Sequence, residues 1–77
     1  MNPNELIQRI QQAIPDAQVQ PSGEGCSFNL RIISASFAGE SLIKRHRRIM
    51  AVLNDLIASG ALHAVTLQTH TPDEAHA

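Results

Sequence analysis

Residues 26–34 have the sequence CSFNLRIIS, and their hydrophobic pattern differs from that of the long segment that begins at residue 42. In the first segment Phe28, Leu30 and Ile32 occupy every second position, which predicts a β-strand with these three side chains toward the core. From residue 42 onward the apolar residues recur about every 3.6 positions, which predicts a helix. The change of period therefore predicts a fold in which a strand leads into a long helix.

The predicted helix has one apolar stripe and a defined end. Its stripe consists of Leu42, His46, Ile49, Leu53 and Leu56. Gly60 follows the last of these residues and is typical of a helix stop in the left-handed conformation. The periodicity leaves open whether the first turns form a separate short helix.

Three further elements flank this central pair. Asn2 followed by Pro3 is typical of a helix N-cap and first helical position, and predicts a helix over residues 3–13. Residues 17–20 are predicted as a strand, residues 21–25 (PSGEG) as the turn of a hairpin, and the alternation over residues 62–69 as a last strand. The expected fold class is α/β (α+β), in the order helix, strand, strand, helix, helix, strand, with a three-stranded sheet covered by helices.

Length and composition restrict the class of protein. A chain of 77 residues is expected to form a single domain over residues 1–77, with a small core because so short a chain buries only about 60% of its unfolded surface. No apolar run approaches the roughly 18 residues of a membrane span, and residues 1–5 do not resemble a secretion signal, so a cytoplasmic location is expected. The single cysteine, Cys26, has no partner for an intramolecular disulfide, which leaves its thiol free.

A basic run provides one candidate binding surface. Four of the six basic residues fall within five positions: Lys44, Arg45, Arg47 and Arg48. Because such side chains neutralise phosphates and a helix can enter a groove, a DNA- or RNA-binding regulator is an alternative function. The slightly negative net charge and the absence of aromatic residues between the cations argue against it. The same run also suits a solvated helix face or a docking surface for an acidic partner.

Residues 37–47, with the sequence FAGESLIKRHR, resemble the signature of the BolA-like family, in which a Phe-x-Gly turn leads into a basic Arg-His-Arg helix. Residues 62–65 (LHAV), followed by residues 71–74 (TPDE), look like the closing strand and acidic terminus of that family. With the hairpin included, the resemblance covers residues 21–74. It implies a class II KH-like fold. The family often carries an aromatic residue in the last segment, where His70 and Ala75 stand here.

The resemblance also implies a function. BolA-like proteins are adaptors that pair with a monothiol glutaredoxin, with or without a shared 2Fe–2S cluster, in iron handling or cluster delivery. The family's ligand positions, a His from the closing strand and a Cys or His from the hairpin loop, fall on His63 and Cys26. The glutaredoxin thiol and a glutathione thiol would complete the four ligands, so the isolated protein is expected to hold no cofactor.

Other residues of the signature are predicted to be structural. Phe37 and Gly39 form the turn before the helix, and His46 lies on the apolar stripe rather than on the basic face. No phosphate-binding loop, nucleophile elbow or carboxylate pair is present, so the protein is expected not to be an enzyme. A weak homodimer is a further expectation.

Overall fold

The computed structural model describes residues 1–76, which form helices on one face of a three-stranded sheet. The helices are α1 (Pro3–Ala13), α2 (Leu42–Ser59) and a short α3 (Pro72–Ala75), and the strands are β1 (Gln18–Glu24), β2 (Ser27–Ile33) and β3 (Ala64–His70). A single 3₁₀ turn, Ala35–Phe37, lies between β2 and α2. None of the helices in residues 1–76 is both long enough and apolar enough to cross a membrane.

The sheet has the order β1-β2-β3. Strands β1 and β2 form an antiparallel hairpin, whereas β2 and β3 are parallel and are joined by the crossover through α2. In the β2–β3 register Ser27 lies beside Ala64, and Ile33 lies beside His70. The mixed α+β class and the three-stranded sheet with helices are as predicted, whereas the order of elements differs by a further helix, α3, after the last strand. The comparison with the class II KH-like fold stays a prediction.

The core lies between the sheet and the two long helices. Its central side chains are almost completely buried: Leu6 and Ile10 of α1, Phe28, Leu30 and Ile32 of β2, Ile49 and Leu53 of α2, and the loop residues Phe37 and Leu62. The alternation of β2 explains this arrangement, because every second side chain of a strand points to the same face. The prediction that Phe28, Leu30 and Ile32 face the core is confirmed.

Strand β1 is longer than predicted. It runs through residues 18–24, so that most of the expected turn at residues 21–25 belongs to the strand, and the reversal itself takes only Gly25 and Cys26. Pro21 is compatible with this edge strand because its missing N–H points away from β2, where no hydrogen bond is needed. Gly23 has φ +104°, and a Cβ there would lie 2.5 Å from the Ser27 carbonyl oxygen, so only glycine fits the close approach.

The start of α2 also departs from the prediction. A single helix begins at Leu42, and the shorter helical piece is the separate 3₁₀ turn. Leu42, expected on the inward stripe, is 62% exposed, whereas Arg45 is only 6% exposed. Arg45 takes the inward position because its guanidinium is hydrogen-bonded to three groups of the fold.

The chain ends in a helix that was not predicted. Thr71 caps α3 by accepting a hydrogen bond from the Glu74 N–H, and the Glu74 carboxylate accepts one from the Thr71 N–H, which completes a capping box. The pattern Thr-x-x-Glu favours this arrangement. Strand β3 occupies residues 64–70 rather than 62–69, because buried Leu62 closes the turn after α2 through its N–H to the Leu56 carbonyl.

Candidate metal centre

The tip of the β1–β2 hairpin carries Cys26. Gly25 and Cys26 form a two-residue connection between paired Glu24 and Ser27. Gly25 has φ +68° and Cys26 has a negative φ, which is the pattern of a type II′ turn, whose first central position favours glycine. The α-amino group of Met1 donates to the Gly25 carbonyl at 3.2 Å. The tip is thus held from outside the hairpin, and its thiol is exposed.

The short connection from α2 to β3 places His63. Gly60, with φ +81°, ends the helix in the left-handed conformation, as predicted. Leu62 is fully buried and anchors the connection in the core. His63 follows immediately and is exposed, one residue before β3 begins. Its position is therefore determined by the helix stop on one side and the start of the strand on the other.

Backbone hydrogen bonds join these two segments directly. The Cys26 carbonyl accepts the N–H of His63 at 2.7 Å and the N–H of Ala64 at 3.2 Å. Extending the β2–β3 register by one residue beyond the Ser27–Ala64 pair places Cys26 beside His63. The two residues that the resemblance indicates as ligands are therefore neighbours at one end of the sheet, although 37 positions separate them in the chain.

The chemistry of the two donors fits an iron–sulfur cluster. Thiolate and imidazole are the ligand types that proteins supply to 2Fe–2S iron. Both side chains are exposed, so a group bound by them would remain open to a second protein. Within residues 1–76 no three His, Cys, Asp or Glu side chains converge in a metal-binding group. Cys26 and His63 could therefore provide two of four cluster ligands, and the remainder would have to come from another molecule.

Arg45 of the basic run is a structural residue. Its guanidinium makes a bidentate ion pair with Glu74 at 2.6 and 3.1 Å. It also donates to the Glu40 carbonyl at 3.0 Å and to the Thr69 carbonyl at 3.4 Å. The hydrogen bonds from Arg45, and next that from the Thr71 N–H, lower the pKa of the Glu74 carboxyl to about 2. Arg45 thereby ties the start of α2 to β3 and α3, and its buried guanidinium is engaged within the fold; that it docks a nucleic acid or partner stays a prediction, which these contacts do not favour.

Arg48 is engaged in a similar way on the next turn. It pairs with Glu40 and donates to the Ser36 carbonyl at 3.3 Å. The guanidinium carbons of Arg45 and Arg48 lie 5.8 and 5.3 Å from the centre of the fully buried Phe37 ring. Phe37 is therefore covered by two cations whose polar atoms bind the surrounding loop.

These contacts reduce the surface available for nucleic acid. Of the four predicted docking residues, Lys44 and Arg47 are exposed and make no salt bridge within residues 1–76. The chain has a net charge of -1, and two cations without a salt bridge can neutralise only two phosphates. Typical nucleic-acid-binding proteins make many more phosphate contacts.

The remaining signature residues occupy structural positions. Gly39 has φ +78° in the turn before α2, a conformation that favours glycine,. His46 is half-buried on α2, and its ring makes no hydrogen bond to residues 1–76. Sequence reasoning missed Glu74 as the partner of Arg45, although the capping box in residues 71–74 was a local sign that this segment is ordered. It also missed the contact of Met1, for which the sequence contains no signal.

Comparison with known proteins gives consistent matches over nearly the whole chain. The model of a family described as BolA-like protein matches residues 8–74. A protein encoded in the rpoN-murA intergenic region of Acinetobacter guillouiae is 40% identical over 74 residues, which cover 96% of this chain and 89% of the relative. The solved structure of a bolA protein homologue from Coxiella burnetii, 27% identical, has a TM-score of 0.86 and covers 100% of this chain and 99% of that one. The BolA domain of SufE1 from Arabidopsis thaliana is 31% identical with a TM-score of 0.80, and the match covers 92% of each chain.

Proposed function

The chain belongs to the BolA-like family, and from that premise we propose that it is a non-enzymatic adaptor that partners a monothiol glutaredoxin to bind or transfer a 2Fe–2S cluster. The observation that carries the proposal is the hydrogen bond of 2.7 Å between the His63 N–H and the Cys26 carbonyl. It joins the two segments that bear a thiol and an imidazole. The likeness to the BolA domain of SufE1 supports an iron–sulfur context.

In this proposal each half of the pair has a distinct role. Cys26 provides a thiolate from a turn that is restrained by Met1 and by the hydrogen bonds from the His63 and Ala64 N–H groups to its carbonyl. His63 provides an imidazole from the residue before β3. Their exposure lets the partner's thiol and a glutathione thiol occupy the other two ligand positions of the cargo cluster. We place this exchange in the cytoplasm, where a free thiol stays reduced.

Cluster loading of matched variants tests the proposal. The protein and a monothiol glutaredoxin are co-expressed, and iron, acid-labile sulfide and visible circular dichroism are measured for the wild type, Cys26→Ala and His63→Ala. The matched control is His76→Ala, because His76 is exposed but lies after α3, beyond the opposite end of β3. We expect each site variant to change the spectrum and the control to keep it. A wild-type spectrum in both site variants would refute the ligand assignment.

A further inference from the structure

Cys26 and His63 form a two-donor site that is incomplete within one chain. Extending the β2–β3 register by one residue sets them side by side, and neighbouring strands are about 4.8 Å apart, so a thiolate and an imidazole can reach the same ion. Within residues 1–76 no third His, Cys, Asp or Glu side chain joins them, the nearby Glu24 included. A metal ion held by one chain alone would therefore keep half of a tetrahedral shell open.

The surface next to the two donors is built from small residues. Along the chain they are flanked by Gly25 and Ser27 on the hairpin, and by Ala61 and Ala64 around the start of β3, all of which are exposed. Leu62, the one large residue of these two segments besides the donors, is fully buried. A bound metal lies only about 2 Å from its ligand atoms, so a molecule that supplies the missing ligands must come close. Small uncharged residues permit this approach.

The donor types favour zinc, and their number favours a second copy of this chain. Cys₂His₂ is one of the standard ligand sets of tetrahedral structural Zn²⁺ sites, and one chain provides half of it. Two thiolates also balance the 2+ charge of the ion, which a single thiolate leaves partly uncompensated. Because every copy carries the same exposed pair, a two-fold axis through the ion completes both the ligand set and the charge balance without a further component.

We propose that, without a glutaredoxin, Cys26 and His63 of two copies bind one Zn²⁺ ion and link the copies through their hairpin tips. The proposal rests on the ligand pair of the proposed function but requires no cluster, since zinc and this chain suffice. Each cysteine binds as the thiolate and gives its proton to the buffer, so formation of the site releases two thiol protons per zinc ion. A chain in this dimer has both ligands occupied and cannot hold a cluster at the same time.

Zinc titration of the full chain tests the stoichiometry. Zn²⁺ is added to the metal-free protein with a reductant that contains no thiol, and sedimentation velocity is combined with the zinc content of each species. We expect the mass to double as zinc is added, the dimer to contain one zinc ion per two chains, and a chelator to restore the monomer. A mass that does not change with zinc, or a monomer that binds one zinc ion per chain, would overturn the proposal.

Matched variants identify the ligands. The same titration is repeated with Cys26→Ser, His63→Gln and the control His76→Gln, whose histidine is exposed but follows α3. Co²⁺ in place of Zn²⁺ adds a visible spectrum that reports tetrahedral geometry and thiolate ligation. We expect Cys26→Ser and His63→Gln to lose the dimer and the tetrahedral cobalt spectrum, and the control to keep both. A wild-type dimer in either ligand variant, or its loss in the control, would show that zinc binds elsewhere on the surface.

The zinc dimer and the proposed cluster function can fail independently. Zinc titration uses the chain alone, whereas cluster loading requires the glutaredoxin. A chain that forms the zinc dimer but never loads a cluster would refute the proposed function and leave the zinc site intact. A chain that loads the cluster through Cys26 and His63 but stays monomeric with zinc would refute the zinc site alone. Far-ultraviolet circular dichroism confirms that each variant is folded, and the wild-type titration decides the stoichiometry without any variant.

Discussion

Replacing Phe37 by leucine tests the packing of this ring against two arginines. The ring is completely buried, and the guanidinium carbons lie 5.8 Å (Arg45) and 5.3 Å (Arg48) from its centre. Both distances are within the roughly 6 Å at which a cation attracts an aromatic face, an interaction of about 0.5–1 kcal/mol at exposed sites and about 2 kcal/mol when desolvated. Arg45 is almost fully buried and Arg48 is partly exposed. Leucine removes both interactions in addition to part of the buried surface.

The matched control is Phe28→Leu. Phe28 is 4% exposed in the same core, but no cation lies over its ring in residues 1–76. Each variant loses the same side-chain volume, so the comparison sets a ring covered by two cations against a ring covered by none, and the double-mutant cycle below separates the cation contribution from the cavity that each site leaves. We expect Phe37→Leu to cost about 1–2 kcal/mol more than Phe28→Leu. For a domain of this size the difference corresponds to a further decrease in Tm of roughly 5–15 °C.

Urea and thermal unfolding followed by far-ultraviolet circular dichroism measure this difference, since the chain contains no Trp or Tyr for fluorescence. A double-mutant cycle with Arg48→Met adds a direct reading, with an expected coupling of at least about 0.5 kcal/mol between the two positions. Equal costs for the two leucine variants, together with zero coupling in the cycle, would refute the stabilising role of the cations.

The remaining predictions concern the hairpin tip and the last helix. Gly23→Ala is expected to lower the free energy of unfolding by at least about 1 kcal/mol more than Gly39→Ala. Both glycines have positive φ, but only at Gly23 would the new Cβ lie 2.5 Å from a carbonyl oxygen. Equal losses of stability in urea unfolding would contradict this expectation. Arg45 lowers the pKa of Glu74 from 4.5 to about 2, so the ion pair stabilises the fold fully above pH about 4.5 and loses this effect as the pH falls through about 2. Urea unfolding as a function of pH should therefore show a smaller loss of stability below pH about 4.5 in Glu74→Gln than in the wild type. The control variant is Asp73→Asn, because the neighbouring Asp73 carboxyl makes no salt bridge within residues 1–76, and it should lose as much stability as the wild type. The same acid sensitivity in all three proteins would show that this ion pair contributes nothing.

The elements that the sequence predicted best are those with local causes. Helix α1 has its predicted bounds because the Asn2 side chain caps it and Pro3 suits the first turn. Strand β2 was predicted from its strict alternation, and the end of α2 from Gly60. Each signal acts over a few residues, so it can be recognised without knowledge of the fold.

The boundaries that were missed depend on distant partners. Nothing local in residues 21–24 shows that they belong to an edge strand, because tolerance of Pro21 depends on which side of β1 faces β2,. Leu42 matched the apolar stripe and is nevertheless exposed, while Arg45 is buried. A guanidinium enters the inward position only where a carboxylate and carbonyls from other segments receive it, and Glu74 lies 29 positions away.

The sequence by itself determined the donors of the candidate site, a single thiol in a glycine-rich turn and a histidine before a strand, and the resemblance of residues 37–47 determined the family to which they point. Only the tertiary structure decided that Cys26 and His63 are neighbours and that two of the four basic residues form ion pairs within the fold. The physical reason is that ligand sets and ion pairs depend on distances between segments, and parallel pairing of β2 with β3 is a non-local event that the crossover through α2 makes possible,.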